Sequence, residues 1–182
     1  MLQKAIMYRD EINDFMRDLD NEEYLQYYNI CGCSINTFLK IDDPVEYDYI
    51  SRVSIHPETK ELIGYFGAET DRNHNIVNEL SIVNISKKPN LYLIRDWLLF
   101  IDNLLMKYHF RKIKISIASK NSFKHMFEKL LLKLNGRMIG TSFSEYKLLN
   151  GTFCDINYYE IFKSDYMTSY IFKNKLNKKV RK

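Results

Sequence analysis

The side chains that most often carry chemistry are thinly spread in this sequence. Its three cysteines are Cys31, Cys33 and Cys154. An odd number cannot all pair, and one residue separates Cys31 from Cys33 where zinc knuckles and redox motifs place two or more. They read as reduced structural thiols, and no metal site is expected. Phosphate binding usually relies on glycine-rich turns, because a residue without Cβ lets the backbone approach the anion. The six glycines are Gly32, Gly64, Gly67, Gly136, Gly140 and Gly151, and they form no such run. The 27 Lys and Arg outnumber the 23 Asp and Glu, but six of the basic residues lie within Lys173–Lys182. The rest of the chain carries 21 basic against 23 acidic residues. Basicity is therefore a property of the C-terminal end, which reads as a solvated terminus; nucleic-acid contacts are expected at most from that tail.

The scaffold that must position any site is a chain of 182 residues, 46% apolar and 14% aromatic. That length and composition predict one domain with a sizeable core, over residues 1–172, and a basic tail over 173–182. The most apolar stretch, Leu91 to Met106, is interrupted by Arg95, Asp96 and Asp102, too many charges for a spanning helix, so no membrane contact is expected. The opening residues lack the apolar run of a signal peptide, and a cytoplasmic location is the expectation.

Periodicity places the elements. Residues 2–8 read as a short leading strand, and Ile12, Phe15, Met16 and Leu19 follow Asp10, an N-cap residue, at helical spacing. Tyr24, Tyr27 and Tyr28 suggest a second helical stretch. Tyr47–His56 and Leu62–Thr70 form a hairpin around Pro57-Glu58-Thr59-Lys60, with Ile63, Tyr65 and Gly67 on one face. A polar turn, Asp71–Asn75, leads to a strand over Ile76–Ile85 whose alternation slips near Ser81-Ile82-Val83, which predicts a bulge there. The period then becomes helical: Leu91, Ile94, Leu98, Ile101, Leu105 and Tyr108, joined by Trp97 and Leu104, make an apolar stripe. Isoleucines two apart mark a strand over Lys112–Ala118. A helix over Ser122–Leu134 turns Phe123, Met126, Phe127, Leu130 and Leu134 inward, with Gly136 as its left-handed cap. Asn150-Gly151 joins two β-rich runs, Arg137–Leu149 and Thr152–Phe162, and is a strong hairpin signal.

This order, with these segments, resembles the GNAT (Gcn5-related) N-acetyltransferase superfamily over roughly residues 47–165. Glu79-Leu80-Ser81-Ile82-Val83-Asn84-Ile85 is similar to the fourth strand of that family, and Asn121 with Met126-Phe127-Glu128-Lys129-Leu130 to the start of its last core helix. Gly136–Gly140, Asn150–Asp155 and Tyr158-Tyr159-Glu160-Ile161 are similar to its closing hairpin. The likeness is greatest to divergent members from AT-rich bacteria and their phages. It implies an α+β fold: a mixed, mainly antiparallel twisted sheet with helices on both faces and a splay between the fourth and fifth strands.

The resemblance also implies an activity, transfer of an acetyl group from acetyl-CoA to a primary amine of a small molecule or protein by direct attack. Glu79 would be the general base. Main-chain groups of Ile82, Val83, Asn84 and Ile85 would meet the pantetheine and polarise the thioester. The pyrophosphate would lie at the next helix start, near Lys87, Lys88, Asn90 and Leu91, and Asn121 would contact the cofactor; Asn90 and Asn121 also suit helix caps.

Two departures stand out. The family's glycine-bearing phosphate loop is replaced by Ser86-Lys87-Lys88-Pro89-Asn90-Leu91, and Phe127 stands where a Tyr usually donates a proton to the leaving thiolate. They support an alternative, a GNAT-fold binding or assembly protein without catalysis. His74, in the turn before the Glu79 strand, could reach an acceptor or simply be solvated. The aromatic last strand could extend a sheet between subunits, which makes a homodimer a reading of the sequence.

Overall fold

A computed structural model describes residues 1–19, 46–86, 89–148 and 150–180. The chain opens with strand β1 (Leu2–Lys4), a 3-10 turn (Ala5–Tyr8) and helix α1 (Arg9–Leu19). Three strands follow, β2 (Tyr49–Ile55), β3 (Leu62–Asp71) and β4 (Ile76–Asn84). Helix α2 (Leu91–Asp102) continues through a π-helical turn (Asn103–Lys107) into β5 (Lys112–Ala118). Then come α3 (Lys124–Lys133), β6 (Arg137–Lys147), β7 (Phe153–Phe162), α4 (Lys163–Thr168) and α5 (Tyr170–Val180).

The strands make one seven-stranded sheet in the order β1-β2-β3-β4-β5-β7-β6. Only β4 and β5 pair in parallel, because α2 carries the chain across between them; the other neighbours are antiparallel. One face packs on α2 and α3 through Ile50, Phe66, Leu80, Ile113, Ile115 and Tyr159. The other carries Tyr49, Val53, Tyr65 and Val83 against Ala5 and Ile12 of the N-terminal segment. The expected mixed sheet with helices on both faces is the observed architecture.

Several local expectations are corrected. The β3–β4 register runs without a break from Gly64↔Asn84 to Glu69↔Glu79, so Ser81–Val83 is regular. The bulge lies at Asn78, because the next pair is Thr70↔Val77. Ile63 is itself the extra residue where the β2–β3 register shifts, and it joins the α2 face while Tyr65 faces the other way. In α2, Leu93, Trp97, Phe100 and Ile101 are buried, whereas Leu91 is 83% exposed. The helix is apolar nearly all round, and two acids decide which side turns in. Asp96 is buried with the Ser54 hydroxyl donating to it (2.8 Å) and the Met1 amino group 2.8 Å away, and buried Asp102 accepts from the Tyr166 hydroxyl (2.8 Å). In α3, Leu131 is buried in place of Met126, which is exposed.

The left-handed residue after α3 is Asn135 (φ 55°), not Gly136. Gly136 is needed for space, since a Cβ there would lie 2.3 Å from Leu131 Cδ1. Asp10 sits inside the first turn of α1 rather than capping it. The Asn150-Gly151 hairpin is present, with Gly151 at φ 82°. Within the basic run, residues 173–180 are helical as part of α5, and Lys175 forms an ion pair with Asp102. The second helical stretch at Tyr24, Tyr27 and Tyr28, with Cys31, Cys33 and Gly32, lies outside the described residues. Among those residues no helix is long and apolar enough to cross a membrane.

Candidate active site

The parallel ladder between β4 and β5 consists of two pairs, Ile76↔Lys112 and Val77↔Ile113. Beyond them β4 stays with β3 as far as Asn84, and β5 stays with β7 as far as Ala118. The two strands thus share a starting point and part, leaving main-chain groups of β4 with no strand on the β5 side. Backbone polar groups seek partners, so an opening of this kind between strands suits an extended amide-bearing ligand.

Glu79 stands where the strands part, and the Asn78 bulge sets its direction. Val77, Leu80 and Ile82 turn toward the α2 face, whereas Val83 turns to the other. Val77 and Leu80 are three apart, which strict alternation forbids and one extra residue allows. Glu79 is thereby placed with Ser81 and Val83, not beneath α2. Its Oε1 accepts two hydrogen bonds from Ser116 of β5, from the backbone N–H (3.2 Å) and from Oγ (3.0 Å). Burial pushes its carboxyl from the usual 4.5 up to about 7 against the lowering effect of these bonds, and the charge of Glu69, its cross-strand neighbour, adds to the rise. A carboxyl of this kind is suited to take up and release a proton near neutral pH.

Hydroxyl groups collect beside it. The Tyr65 hydroxyl donates to that of Tyr49 (3.3 Å), and Tyr49 is also hydrogen-bonded to the Ser81 side chain. Gly67, paired with Ser81, makes this possible: a Cβ at that position would lie 2.1 Å from the Tyr49 hydroxyl and 2.9 Å from that of Tyr65. From β7, Tyr158 donates to Glu145 (3.1 Å), and its own hydroxyl is held protonated by partial burial, Glu145 and the charge of Glu79.

Of the other expected site residues, those described lie on or just after β4 and at the starts of α2 and α3. Ile82 packs against the α2 core, Val83 is buried on the opposite face, and Ile85 packs beside it. Asn84 Oδ1 accepts from Ser86 Oγ (2.8 Å). Lys87 and Lys88 lie outside the described residues. Asn90 caps α2, its Oδ1 accepting from the Tyr92 N–H (2.9 Å), and Leu91 is exposed in the first turn. Asn121 Oδ1 accepts from the Phe123 N–H (2.8 Å), which shapes the turn leading into α3.

Phe127 is buried, with ring centroids 5.0 Å from Tyr159 and 5.7 Å from Trp97. It is a core residue, as its inward spacing predicts. His74 is exposed and paired with Asp71 (2.7 Å), at the end where β4 and β5 still touch. Cys154 is a buried free thiol whose pKa is raised by burial.

Ser116, Tyr49 and Gly67 were not anticipated as parts of the site. The available signal for Ser116 was its place in β5: Ile113 and Ile115 fill the core, while the other face changes from Lys112 and Lys114 to the small Ser116. For Gly67 the signal was a glycine in the middle of a strand, which marks close approach.

No family model matches the sequence, and no curated protein matches it. Solved structures do. A chimera of Vibrio cholerae spermidine N-acetyltransferase SpeG with hSSAT aligns at a TM-score of 0.69 and 19% identity, covering 92% of this chain and 99% of that one. The Vibrio cholerae enzyme in complex with CoA and spermine aligns at 0.69 and 17% identity, covering 92% and 97%. A probable acetyltransferase aligns at 0.68 and 11% identity, covering 90% and 93%. The chain therefore has the fold of the GNAT acetyltransferases, with its fourth and fifth strands parting at Glu79.

Proposed function

We propose that this chain is an N-acetyltransferase that moves an acetyl group from acetyl-CoA to a primary amine of a small molecule or protein. The observation that carries the reading is Glu79, a carboxyl with a pKa raised to about 7, at the point where β4 and β5 separate. The solved neighbour that holds CoA and spermine supports a thioester donor and an amine acceptor.

In this reading the main chain from Ile82 to Ile85 pairs with the pantetheine amides. Lys87, Lys88 and the α2 start at Asn90 and Leu91 take the pyrophosphate, and Asn121 adds a cofactor contact. Glu79 removes a proton from the acceptor ammonium, directly or through water. The freed amine nitrogen attacks the thioester carbonyl, whose oxygen is held by an N–H near Val83 or Asn84; the C–S bond breaks, the nitrogen gives its surplus proton to water as the amide forms, and the departing CoA thiolate is protonated from water. Phe127 cannot supply that proton, so the rate lacks what a positioned acid contributes, about 10²-fold.

Calorimetry with acetyl-CoA should show saturable binding, and an amine panel should reveal transfer that falls about 10²-fold at pH 7 in Glu79→Gln. No binding at millimolar acetyl-CoA would reject the reading. The buried Phe127 favours a second reading, a GNAT-fold binding or assembly protein without catalysis. Binding without transfer to any amine would establish it.

A further inference from the structure

Resting on the reading of Glu79 as the base, we infer that Ser116 is a positioning residue, which holds the Glu79 carboxylate by one oxygen and presents the other to the acceptor amine. In a continuous parallel sheet the Ser116 N–H would meet a β4 carbonyl. The ladder ends at Val77↔Ile113, and the Glu79 side chain takes the place of the missing strand. Both donors of Ser116 converge on Oε1, at 3.2 Å and 3.0 Å. A doubly engaged oxygen is the poorer proton acceptor of the two, so the proton of the neutral acid resides on Oε2. Deprotonation and proton uptake from the substrate then occur at Oε2. Holding Oε1 also stops the carboxyl from rotating, which keeps a single lone-pair direction toward the acceptor.

The arrangement joins elements on both sides of the opening. Ser116 is fixed from behind by its pairing with Tyr158 on β7, and Glu79 by its pairing with Glu69 on β3. Among the described residues, the charge of Glu69 acts on Glu79, and the charge of Glu79 in turn acts on the hydroxyls of Tyr49 on β2 and Tyr158 on β7. On its own face of β5, Lys114 and Lys112 precede Ser116, and Lys112 is engaged by Glu160 at 3.1 Å. Ser116 donates two hydrogen bonds to the carboxylate itself.

The test is a carboxyl-carbon NMR titration of Glu79 in the full chain, assigned with Glu79→Gln, beside a pH–rate profile with acetyl-CoA and an amine. Ser116→Ala removes one of the two donors, which should raise the Glu79 midpoint by about one pH unit. The acid limb of kcat/KM should move by the same amount. Transfer at pH 7 should fall roughly fivefold and recover near pH 9, with KM for acetyl-CoA unchanged. Ser116→Thr keeps the hydroxyl and should restore both midpoint and profile. An unmoved midpoint in Ser116→Ala, or one that Ser116→Thr fails to restore, overturns the inference. A moved and restored midpoint in a chain that transfers no acetyl group supports Ser116 as the group governing the Glu79 carboxyl, and instead removes the catalytic reading.

Discussion

A carboxyl raised to about 7 weakens the fold whenever it is charged, and Glu79 sets a pH dependence of stability that can be signed. Its proton is held more tightly in the folded chain than in the unfolded one, so its contribution is fully present below pH 4.5 and is lost as pH rises through 7. The difference is worth about 3 kcal/mol. Glu46 has the opposite sign. Burial alone would raise it, but the hydrogen bond from Arg52 and that from the Tyr108 hydroxyl outweigh burial and hold it at about 2. Its contribution is present above pH 4.5 and lost as pH falls toward 2. Denaturant titrations should therefore find greatest stability at about pH 5. Glu79→Gln should match the original chain there and exceed it by about 2 kcal/mol at pH 8. Equal stability of the two at pH 8 would mean that Glu79 does not resist ionisation. The identity of Glu79 was legible through its resemblance, but its orientation was not. The slip in alternation falls between Val77 and Leu80, and only the β3 register shows Asn78 as the extra residue.

At the scale of elements, α2 illustrates how one residue type serves two purposes. Asn90 satisfies the Tyr92 N–H, a structural task, yet it stands at the helix end where an anion would be drawn to the positive dipole. Substitution separates the two. Asn90→Ala should cost about 1 kcal/mol of stability through loss of the cap. Asn90→Asp keeps an acceptor and favours the dipole, so its Tm should equal or exceed that of the original chain, but its charge opposes a pyrophosphate. Acetyl-CoA affinity should drop by roughly fivefold to tenfold in Asn90→Asp, measured calorimetrically. An unchanged affinity would locate the diphosphate elsewhere. The strands were more legible than the helices for a physical reason. In β5 the isoleucine alternation admits one register and gives Lys112–Ala118 unchanged. In α2 apolar residues occupy every side, so periodicity does not choose a face; buried Asp96 and Asp102 choose it through partners far away in sequence.

Those two acids also bind the ends of the described chain to its centre. Asp96 receives the Ser54 hydroxyl and Arg95 and lies 2.8 Å from the Met1 amino group, which also donates to the Ile55 carbonyl. Asp102 receives the Tyr166 hydroxyl of α4 and the Lys175 ammonium of α5. Nothing near Lys175 in the sequence reveals that partner, which is why a lysine-rich run reads as a solvated end. Tyr166, buried in the main core and packed on Phe172 at 5.4 Å, adds the apolar part of the docking. Removing Asp102 should therefore act on the C-terminal helices more than on the sheet. Asp102→Ala leaves a buried hydroxyl without its acceptor and Lys175 without its counter-charge, a loss of about 2 kcal/mol because Lys175 is part-exposed. Native-state hydrogen exchange should show lost protection in α5 while Ile113 and Ile115 of β5 keep theirs. Asp102→Asn, which still accepts from Tyr166, should fall between the two. A uniform loss of protection across β5 and α5 would instead mean that the C-terminal helices open only with the whole sheet, as one cooperative unit.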